Sequence, residues 1–288
     1  MIRKTCILTA LLFLISGYAS AGLLDNIQRG FDMLSTSSDA TEKAARPISD
    51  EEEYYLGRAV AARILETYPL LKETKLTEYV NFIGAVLALH AEKPYTFGGY
   101  HFAILDTDEM NAFACPGGTI FVTKGMLKSA ANEDEFAAVL AHEIAHINHR
   151  DGISSIKKSR WSEAVTIIGS KAAQNYGPQE LSRLTGIFEG SIDDIVKTLV
   201  VKGYSKSQEY EADKTSISYL VRTGYNPLAL KDFLDRMVSR GTSSEGGITK
   251  THPGTTDRID NIRTEIPKDT AASLPVSRRT DRFSAAVH

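Results

Sequence analysis

The feature of this 288-residue sequence that most constrains its fold is one predicted helix. Residues 132–150 are predicted to be helical from end to end, because no glycine or proline interrupts them before Gly152. Asn132 is a good N-cap, and residues 133–135 are all acidic, which suits the positive end of the helix dipole. The segment therefore predicts a well-defined helix against which the rest of the chain must pack.

This helix contains the sequence His-Glu-Ile-Ala-His at positions 142–146. His142 and His146 are four residues apart and project from one helix face, a spacing that suits a Zn²⁺ ion. Glu143 lies about 100° round the helix from His142, where it can reach a water molecule on the metal. The alternative is a solvated helix face that matches the motif by chance. Apolar residues around the motif argue against it, because a buried His-Glu-His group without a partner is costly.

The first 21 residues have the parts of a secretory signal peptide. Arg3 and Lys4 form a basic start, residues 6–15 are apolar, and Ala-Ser-Ala at 19–21 is a typical cleavage site. The apolar stretch is too short to span a bilayer comfortably, and no cysteine follows the cleavage site to accept a lipid. We therefore expect a periplasmic or secreted protein whose mature chain begins at Gly22.

The net charge and the number of cysteines limit which partners and which type of metal site are expected. Loss of Arg3 and Lys4 with the signal peptide changes the formal net charge from −3 to −5, which gives no indication of nucleic-acid binding. Cys115 would then be the only cysteine, so an intramolecular disulfide and a cysteine-rich zinc site are both excluded. In an oxidising compartment we expect Cys115 to be either buried or available for an intermolecular bridge.

Hydrophobic periodicity predicts an α+β fold that is mostly helical. After an N-terminal leader at 22–48, helices are expected at 49–67, with Ser49 as the N-cap, and at 76–90. Residues 100–106 alternate as a strand does, and two further strands, 112–114 and 119–123, flank the Pro-Gly-Gly turn at 116–118. We expect these strands to form a small antiparallel sheet next to the helix that carries the metal motif.

The second half of the chain is predicted to be helical. A surface contact with a membrane near residues 161–168 is an alternative to packing of this segment onto the core. The tail, residues 267–288, is expected to be disordered. Predicted helices lie at 153–176, 179–201, 205–223 (with Gly224 as its stop), about 227–240 and 256–266.

A catalytic zinc needs a third protein ligand, and the best candidate lies in the sequence Glu209-Tyr-Glu-Ala-Asp213. Asp213 lies one turn after Glu209 on the same helix face, where it can hydrogen-bond a ligand imidazole. Alternatively, the acidic stretch is an ordinary solvated face. His149 competes as a ligand, but the extended HExxHxxGxxH pattern needs glycine at 149 and histidine at 152, and this chain has His149 and Gly152. We therefore expect His149 to interact with the helix dipole.

Four motifs in order and spacing resemble the minigluzincin metallopeptidases, the group that contains HtpX, BepA and the CAAX prenyl protease. They are HEIAH, EYEAD, the upstream NAFACPGGTIFVTKGML at 111–127 and the downstream THPGTTDRI at 251–259. The resemblance covers residues 49–266 and implies a zincin-like metallopeptidase domain with these bounds. HtpX and the prenyl protease have membrane spans and BepA has a repeat domain, so the chain resembles a minimal secreted or periplasmic member.

The resemblance also implies roles for individual residues. His142, His146 and Glu209 would bind one Zn²⁺, Glu143 would be the general base, and Asp213 would support a ligand. Two residues of the downstream motif, His252 and Arg258, would either stabilise the oxyanion together, or His252 would swing in as a fourth zinc ligand that holds the enzyme off. A surface histidine without a role is the third alternative. The residues expected along the substrate are Asn111, Gly118, Thr119, Ile120, Phe121 and Val122.

These observations predict a zinc metalloendopeptidase that hydrolyses unfolded or misfolded proteins of the cell envelope. The predicted strand at 119–123 would hold an extended substrate by main-chain hydrogen bonds, so loose specificity is expected. Two alternatives stay open. One is a chaperone-like holdase whose zinc site is latched by His252, and the other is a hydrolase of peptidoglycan peptides.

Overall fold

The computed structural model describes residues 47–156, 189–240, 247–266 and 277–287. From Ile48 on, these residues belong to one compact unit. The prediction of a mostly helical α+β fold is confirmed. The elements are α1 (Asp50–Leu65), α2 (Thr74–Leu89), β1 (His101–Leu105), β2 (Ala112–Cys115), β3 (Thr119–Thr123), α3 (Lys124–Ser129), α4 (Glu133–His149), α5 (Asp151–Ser154), α6 (189–197, followed by a π-helical turn, Thr198–Lys202), α7 (Lys206–Thr223), α8 (Ala229–Ser239), α9 (Ile248–Thr251), α10 (Thr255–Glu265) and α11 (Ser277–Val287).

The three strands form a mixed sheet in the order β1-β3-β2. The predicted hairpin is present: β2 pairs antiparallel with β3 across the turn at Pro116–Gly118, where Gly117 has a φ of 77° that favours glycine. β1 lies on the other edge of β3 and runs parallel to it. The prediction of a wholly antiparallel sheet is therefore wrong for this pair, because the chain crosses over β3 instead of adding strands in sequence order.

Local capping fixes the ends of the helices, as the sequence predicted. The Ser49 side chain and Glu52 form a capping box at α1, and Asn132 accepts a hydrogen bond from the backbone N–H of Glu135 at the start of α4. α7 begins after Ser205 and ends at Gly224, whose φ of 74° closes the helix. These caps need only neighbouring residues, which is why the sequence reveals them.

α4 forms the centre of the core. Every residue from Glu133 to Ile147 is buried, although this stretch includes three acidic residues and the HEIAH motif. Helices α2, α7, α8 and α11 and strand β2 all contact it. The two ends of α4 therefore carry buried polar groups, and each end needs a set of partners.

The C-terminal residues were expected to be disordered, but the structure describes helix α11 over Ser277–Val287. Phe283 is buried and its ring lies 6.4 Å from that of Phe136 in α4. Arg279 and Arg282 form ion pairs with Asp134 and Glu133. Sequence composition did not predict this helix, because its stability comes from one apolar residue and two cations that meet partners far away in the chain.

Several expectations fall wholly or largely outside the described residues. They are the signal peptide (1–21), nearly all of the leader (22–48), most of the helix predicted at 153–176, the first part of the helix predicted at 179–201, and the membrane contact at 161–168. From residue 189 on, the second of these helices is present as α6 and its π-helical turn. Within the part of the chain that the structure describes, no helix has the length and apolar character needed to cross a membrane.

Candidate metal centre

Four side chains from three parts of the chain converge beside α4. His142 and His146 project from α4, Glu209 from the first turn of α7, and His252 follows α9. One ligand atom from each lies within 4.8 Å of every other, and all four residues are buried. The structure thus brings together the three predicted zinc ligands and the predicted fourth one.

The distances between these atoms fit a small divalent cation. The Nε2 atoms of His142 and His146 are 3.0 Å apart, and they lie 3.4 and 3.5 Å from the Glu209 carboxylate. His252 Nδ1 is 3.1 Å from Glu209 and 3.3 Å from His142 Nε2. Ligand bonds of about 2.0–2.1 Å to a tetrahedral Zn²⁺ put neighbouring ligand atoms roughly 3.3 Å apart. The donor set therefore fits zinc in both chemistry and spacing.

Each α4 imidazole is oriented by a carboxylate at its other nitrogen. His142 Nδ1 lies 3.0 Å from Asp213, as the sequence predicted, and His146 Nδ1 lies 2.7 Å from Asp151. A carboxylate at Nδ1 holds the proton there and leaves Nε2 free for a metal. Asp151 was not found from the sequence. It lies in this position because Arg150 ends α4 in the left-handed conformation, with φ 59°, and turns the chain back.

Electrostatics make this cluster attractive to cations. Burial opposes ionisation of Glu209, but His252 and Arg258 hold the pKa of Glu209 well below its usual range. Burial lowers the pKa of His146, whereas hydrogen bonds to Asp151 and Glu209 raise it more strongly, to about 10. Two buried carboxylates thus favour positive charge at the imidazoles, and a divalent cation satisfies the same preference.

Glu143 has no hydrogen-bond partner among the described residues on either carboxylate oxygen, although the side chain is fully buried. Nε2 of His252 lies 3.5 Å from one of these oxygens. A buried carboxylate without partners is costly, and such groups concentrate at functional sites. The position suits the predicted general base.

Arg258 lies behind the ligands. Its guanidinium donates two hydrogen bonds to Asp213, at 2.9 and 2.6 Å, and forms an ion pair of 2.9 Å with Glu209. Burial lowers the pKa of Arg258, but the two carboxylates raise it more strongly above its usual value. This arrangement fits a residue that fixes Glu209 and Asp213 better than one that donates to a substrate oxyanion.

His252 is held among the ligands by a short segment, residues 247–251. Thr251 donates a hydrogen bond of 3.0 Å to the side-chain oxygen of Asn111, and the N–H of Ile248 donates to the carbonyl of Met110 at 2.8 Å. Asn111, predicted to contact substrate, is thus buried and engaged by Thr251. With His252 as a fourth ligand, a tetrahedral metal would have no position for water.

The predicted substrate strand is in the wrong place for that role. Gly118 and residues 119–122 belong to the turn and to β3, which is the central strand and has β1 and β2 on its two edges. Residues 120–122 are also buried. The main-chain N–H and C=O groups on the two sides of β3 are already paired with β1 and β2, so β3 cannot bind an extended substrate. The two edge strands are β1, whose outer side is partly paired with residues 69–71, and β2.

Three other side chains lie near the site: Cys115, His149 and Tyr204. Cys115 is buried, as one of the two sequence alternatives expected, and burial and then Glu143 raise the pKa of its thiol. His149 lies outside the cluster, 3.1 Å from Thr215. Tyr204 was not predicted from the sequence. Its ring stacks on that of His146, with centroids 4.1 Å apart.

Comparison with known proteins agrees with this geometry. The model of the peptidase family M48 matches residues 74–266, which is more than half of the chain. The chain belongs to peptidase family M48. Membership of M48 confirms the resemblance derived from the four motifs and the zincin-like fold expected from it.

Curated relatives carry peptidase names. The chain is 28% identical over 238 residues to the Beta-barrel assembly-enhancing protease of Escherichia coli (strain K12), covering 81% of this chain and 47% of that protein. It is 32% identical over 160 residues to the Mitochondrial metalloendopeptidase OMA1 of Schizosaccharomyces pombe, covering 55% and 44%. A Protease HtpX homolog of Salinibacter ruber is 28% identical over 186 residues, covering 55% and 65%. The M48 chain thus spans about half the length of the first of these relatives.

Proposed function

We propose that the protein is a zinc-dependent metalloendopeptidase that hydrolyses unfolded or misfolded proteins of the cell envelope. The convergence of His142, His146 and Glu209 beside the unpartnered carboxylate of Glu143 carries this proposal. Membership of a peptidase family supports the reaction type. The name Beta-barrel assembly-enhancing protease supports an envelope protein as substrate.

In the proposed reaction the chain's own residues move the protons. A zinc ion held by the three ligands would supply a Lewis acid that activates water at neutral pH and polarises the peptide carbonyl. Glu143 accepts the proton of the attacking water and later delivers it to the leaving amine. Asp151 and Asp213 keep His146 and His142 in the tautomer that presents Nε2, and Arg258 fixes Glu209.

β2 is an edge strand and therefore a better place for an extended substrate than β3, although its four residues are buried while residues 247–252 are in place. We propose that substrate pairs with this edge after residues 247–252 have moved. In the present structure Ile248 and Thr251 form hydrogen bonds with Met110 and Asn111, the two residues just before β2. Polar main-chain pairing with one edge strand selects for unfolded segments and against folded ones. This replaces the substrate role expected for residues 118–122.

His252 is proposed to be a latch. Its Nδ1 lies among the ligand atoms, and a fourth protein ligand excludes the water that hydrolysis needs. A latched site also fits the chaperone-like alternative, in which the protein binds misfolded chains and its zinc site stays closed. The two differ in one respect: only a peptidase gains activity when the latch is removed.

The test uses casein and denatured envelope protein as substrates, with metal content measured on the same samples. We expect His252→Ala to raise cleavage and Glu143→Gln to abolish it, with zinc bound to both proteins. His90→Ala, at an exposed histidine, is the matched control for the first variant. Absence of cleavage in zinc-loaded wild type and His252→Ala would contradict the peptidase. Suppression of aggregation by these inactive proteins would then favour the holdase.

A further inference from the structure

Tyr204 presents a buried hydroxyl that nothing in the described part of the chain satisfies. The residue is 5% exposed, and its phenolic oxygen has no hydrogen-bond partner. Buried tyrosine hydroxyls usually find partners, and leaving one unsatisfied destabilises the folded state. The folded chain therefore tolerates a cost at this position, as often happens where a group serves a function.

The ring itself is held firmly. It stacks on His146 at an interplanar angle of 24° and meets the ring of His252 edge-on, with centroids 5.9 Å apart. The backbone N–H of Tyr204 donates to the carbonyl of Thr251 at 3.1 Å. Gly203, with φ 79°, allows this close approach, because a Cβ there would lie 2.5 Å from the carbonyl oxygen of Lys250. The ring, and with it the hydroxyl, therefore has a fixed position against His146 and His252.

The surroundings of the hydroxyl are acidic. Burial raises the pKa of the Tyr204 hydroxyl, and so do the charges of Glu143, Asp151, Glu209 and Cys115. The hydroxyl forms a hydrogen bond with none of them. A buried O–H donor without a partner, on a ring held against two of the clustered imidazoles, is available to a group that arrives with the substrate.

We propose that Tyr204 is a catalytic residue whose hydroxyl donates a hydrogen bond to the carbonyl oxygen of the scissile peptide. This rests on the proposed peptidase function. When water adds to the carbonyl carbon, the π electron pair of the C=O bond moves onto that oxygen, and the Tyr204 hydrogen bond strengthens without transfer of its proton. When the C–N bond breaks, the pair re-forms the C=O bond and the amine takes a proton from Glu143.

This assignment fills a role that another residue cannot supply in the observed geometry. The sequence suggested Arg258 as a partner of His252 in stabilising the oxyanion. The guanidinium of Arg258 is instead engaged by Asp213 and Glu209. Tyr204 retains a free donor, and loss of one oxyanion donor typically lowers kcat by about 10²–10³-fold.

The test is Tyr204→Phe, which keeps the stacked ring and removes only the hydroxyl, in the wild-type and His252→Ala backgrounds. Tyr210→Phe, on the neighbouring helix, is the matched control. We expect kcat to fall by about 10²–10³-fold with KM and zinc affinity within about twofold of the parent. Affinity for a phosphinic peptide, a tetrahedral analogue of the reacting carbonyl, should fall as much as kcat/KM, as measured by calorimetry.

Two results would overturn the inference, and they have different meanings. Unchanged kcat and phosphinic-peptide affinity in Tyr204→Phe, with zinc affinity lost only in Tyr204→Ala, would mean that the ring merely supports His146. Absence of cleavage in zinc-loaded wild type and His252→Ala would remove the peptidase function itself, and the role of Tyr204 with it.

Discussion

Both ends of helix α4 contain buried carboxylates, but the glutamate at one end has hydrogen-bond partners and the glutamate at the other end has none. At the N-terminal end, Glu133 accepts hydrogen bonds from Tyr79 at 2.7 Å and Tyr225 at 2.9 Å, and it pairs with Arg282. At the other end, both oxygens of Glu143 lack a partner among the described residues. One cluster is complete within the protein, whereas the other leaves a buried carboxylate without a hydrogen-bond partner among the described residues.

The same contrast extends to the neighbours of each glutamate. Asp134 accepts from the N–H of Asn226 at 2.9 Å and from Arg279 at 2.7 Å, and Glu135 pairs with Arg236. These partners are Arg236 of α8, Asn226 of the loop between α7 and α8, and Arg279 of α11, so the acidic end of α4 holds three parts of the chain together. We infer that the N-terminal end of α4 serves stability and that the C-terminal end serves chemistry.

The largest effect is expected from a matched pair of substitutions on this one helix. Glu143→Gln should lower peptidase activity by about 10²–10⁴-fold, because it removes the general base. The free energy of unfolding should stay the same or rise, because the substitution also removes a buried carboxylate without a partner. Glu133→Gln should leave activity per folded molecule unchanged and lower the free energy of unfolding by about 1–3 kcal/mol, because it weakens bonds to a charged group. Casein cleavage and urea unfolding of both proteins measure the two quantities.

Equal losses of stability in the two variants would contradict the division of α4 into a structural and a chemical end. A third variant, Glu211→Gln on α7, provides the control, because this glutamate is exposed and lies outside both clusters. It should change neither quantity.

Removal of the metal is the next largest perturbation. A ligand at a thousand times its Kd stabilises the folded state by about 4 kcal/mol, so excess chelator should lower the Tm by roughly 10 °C. His142→Ala, which lacks a ligand, should lose far less on the same treatment. An equal shift in both proteins, by differential scanning calorimetry, would mean that the cluster does not hold the stabilising ion.

A smaller effect is expected at the carboxylate that orients His146. Asp151→Asn keeps the shape of the side chain but weakens the hold on the Nδ1 proton, and such changes typically lower metal affinity by 10–100-fold. Competition with a chelating dye measures the affinity. Asp108→Asn, at an exposed aspartate whose side chain is 82% accessible, should bind zinc as wild type does. Wild-type affinity in Asp151→Asn would leave the 2.7 Å contact without a role in metal binding.

The sequence predicted what depends on neighbouring residues. Asn132 as a cap and Gly224 as a stop follow from local chemistry, and the four-residue spacing in HEIAH and in EYEAD brings each pair onto one face. The features that the sequence did not predict depend on contacts between distant parts of the chain. Asp151 needs the left-handed turn at Arg150, Tyr204 has no spacing motif, and Phe283 finds Phe136 far away in the chain. The parallel pairing of β1 was likewise not visible in the alternation of its residues.

The smallest effect is expected at low pH, where protonation of Glu133 should lower the free energy of unfolding. Burial raises the pKa of Glu133, but hydrogen bonds from Arg282, Tyr79 and Tyr225 lower it more strongly, so its pKa in the folded protein is below the ordinary value. A group with a depressed pKa contributes stability above its unfolded pKa of about 4.3, and that contribution is lost as the pH falls through the folded pKa. We expect at most about 1–2 kcal/mol, because the Arg282 side chain is 42% exposed and its ion pair is screened by solvent.

The measurement is the difference in the free energy of unfolding between wild type and Glu133→Gln at several pH values. Both proteins are studied without metal, since acid also protonates the imidazoles of the site and would release the ion. The difference should be constant from pH 7 to about pH 5 and shrink below about pH 4, because protonated glutamate and glutamine are both neutral. A difference that stays constant down to pH 3 would show that Glu133 contributes by packing and neutral hydrogen bonds. In that case the charge on this glutamate would not be what fastens α11 to the structural end of α4.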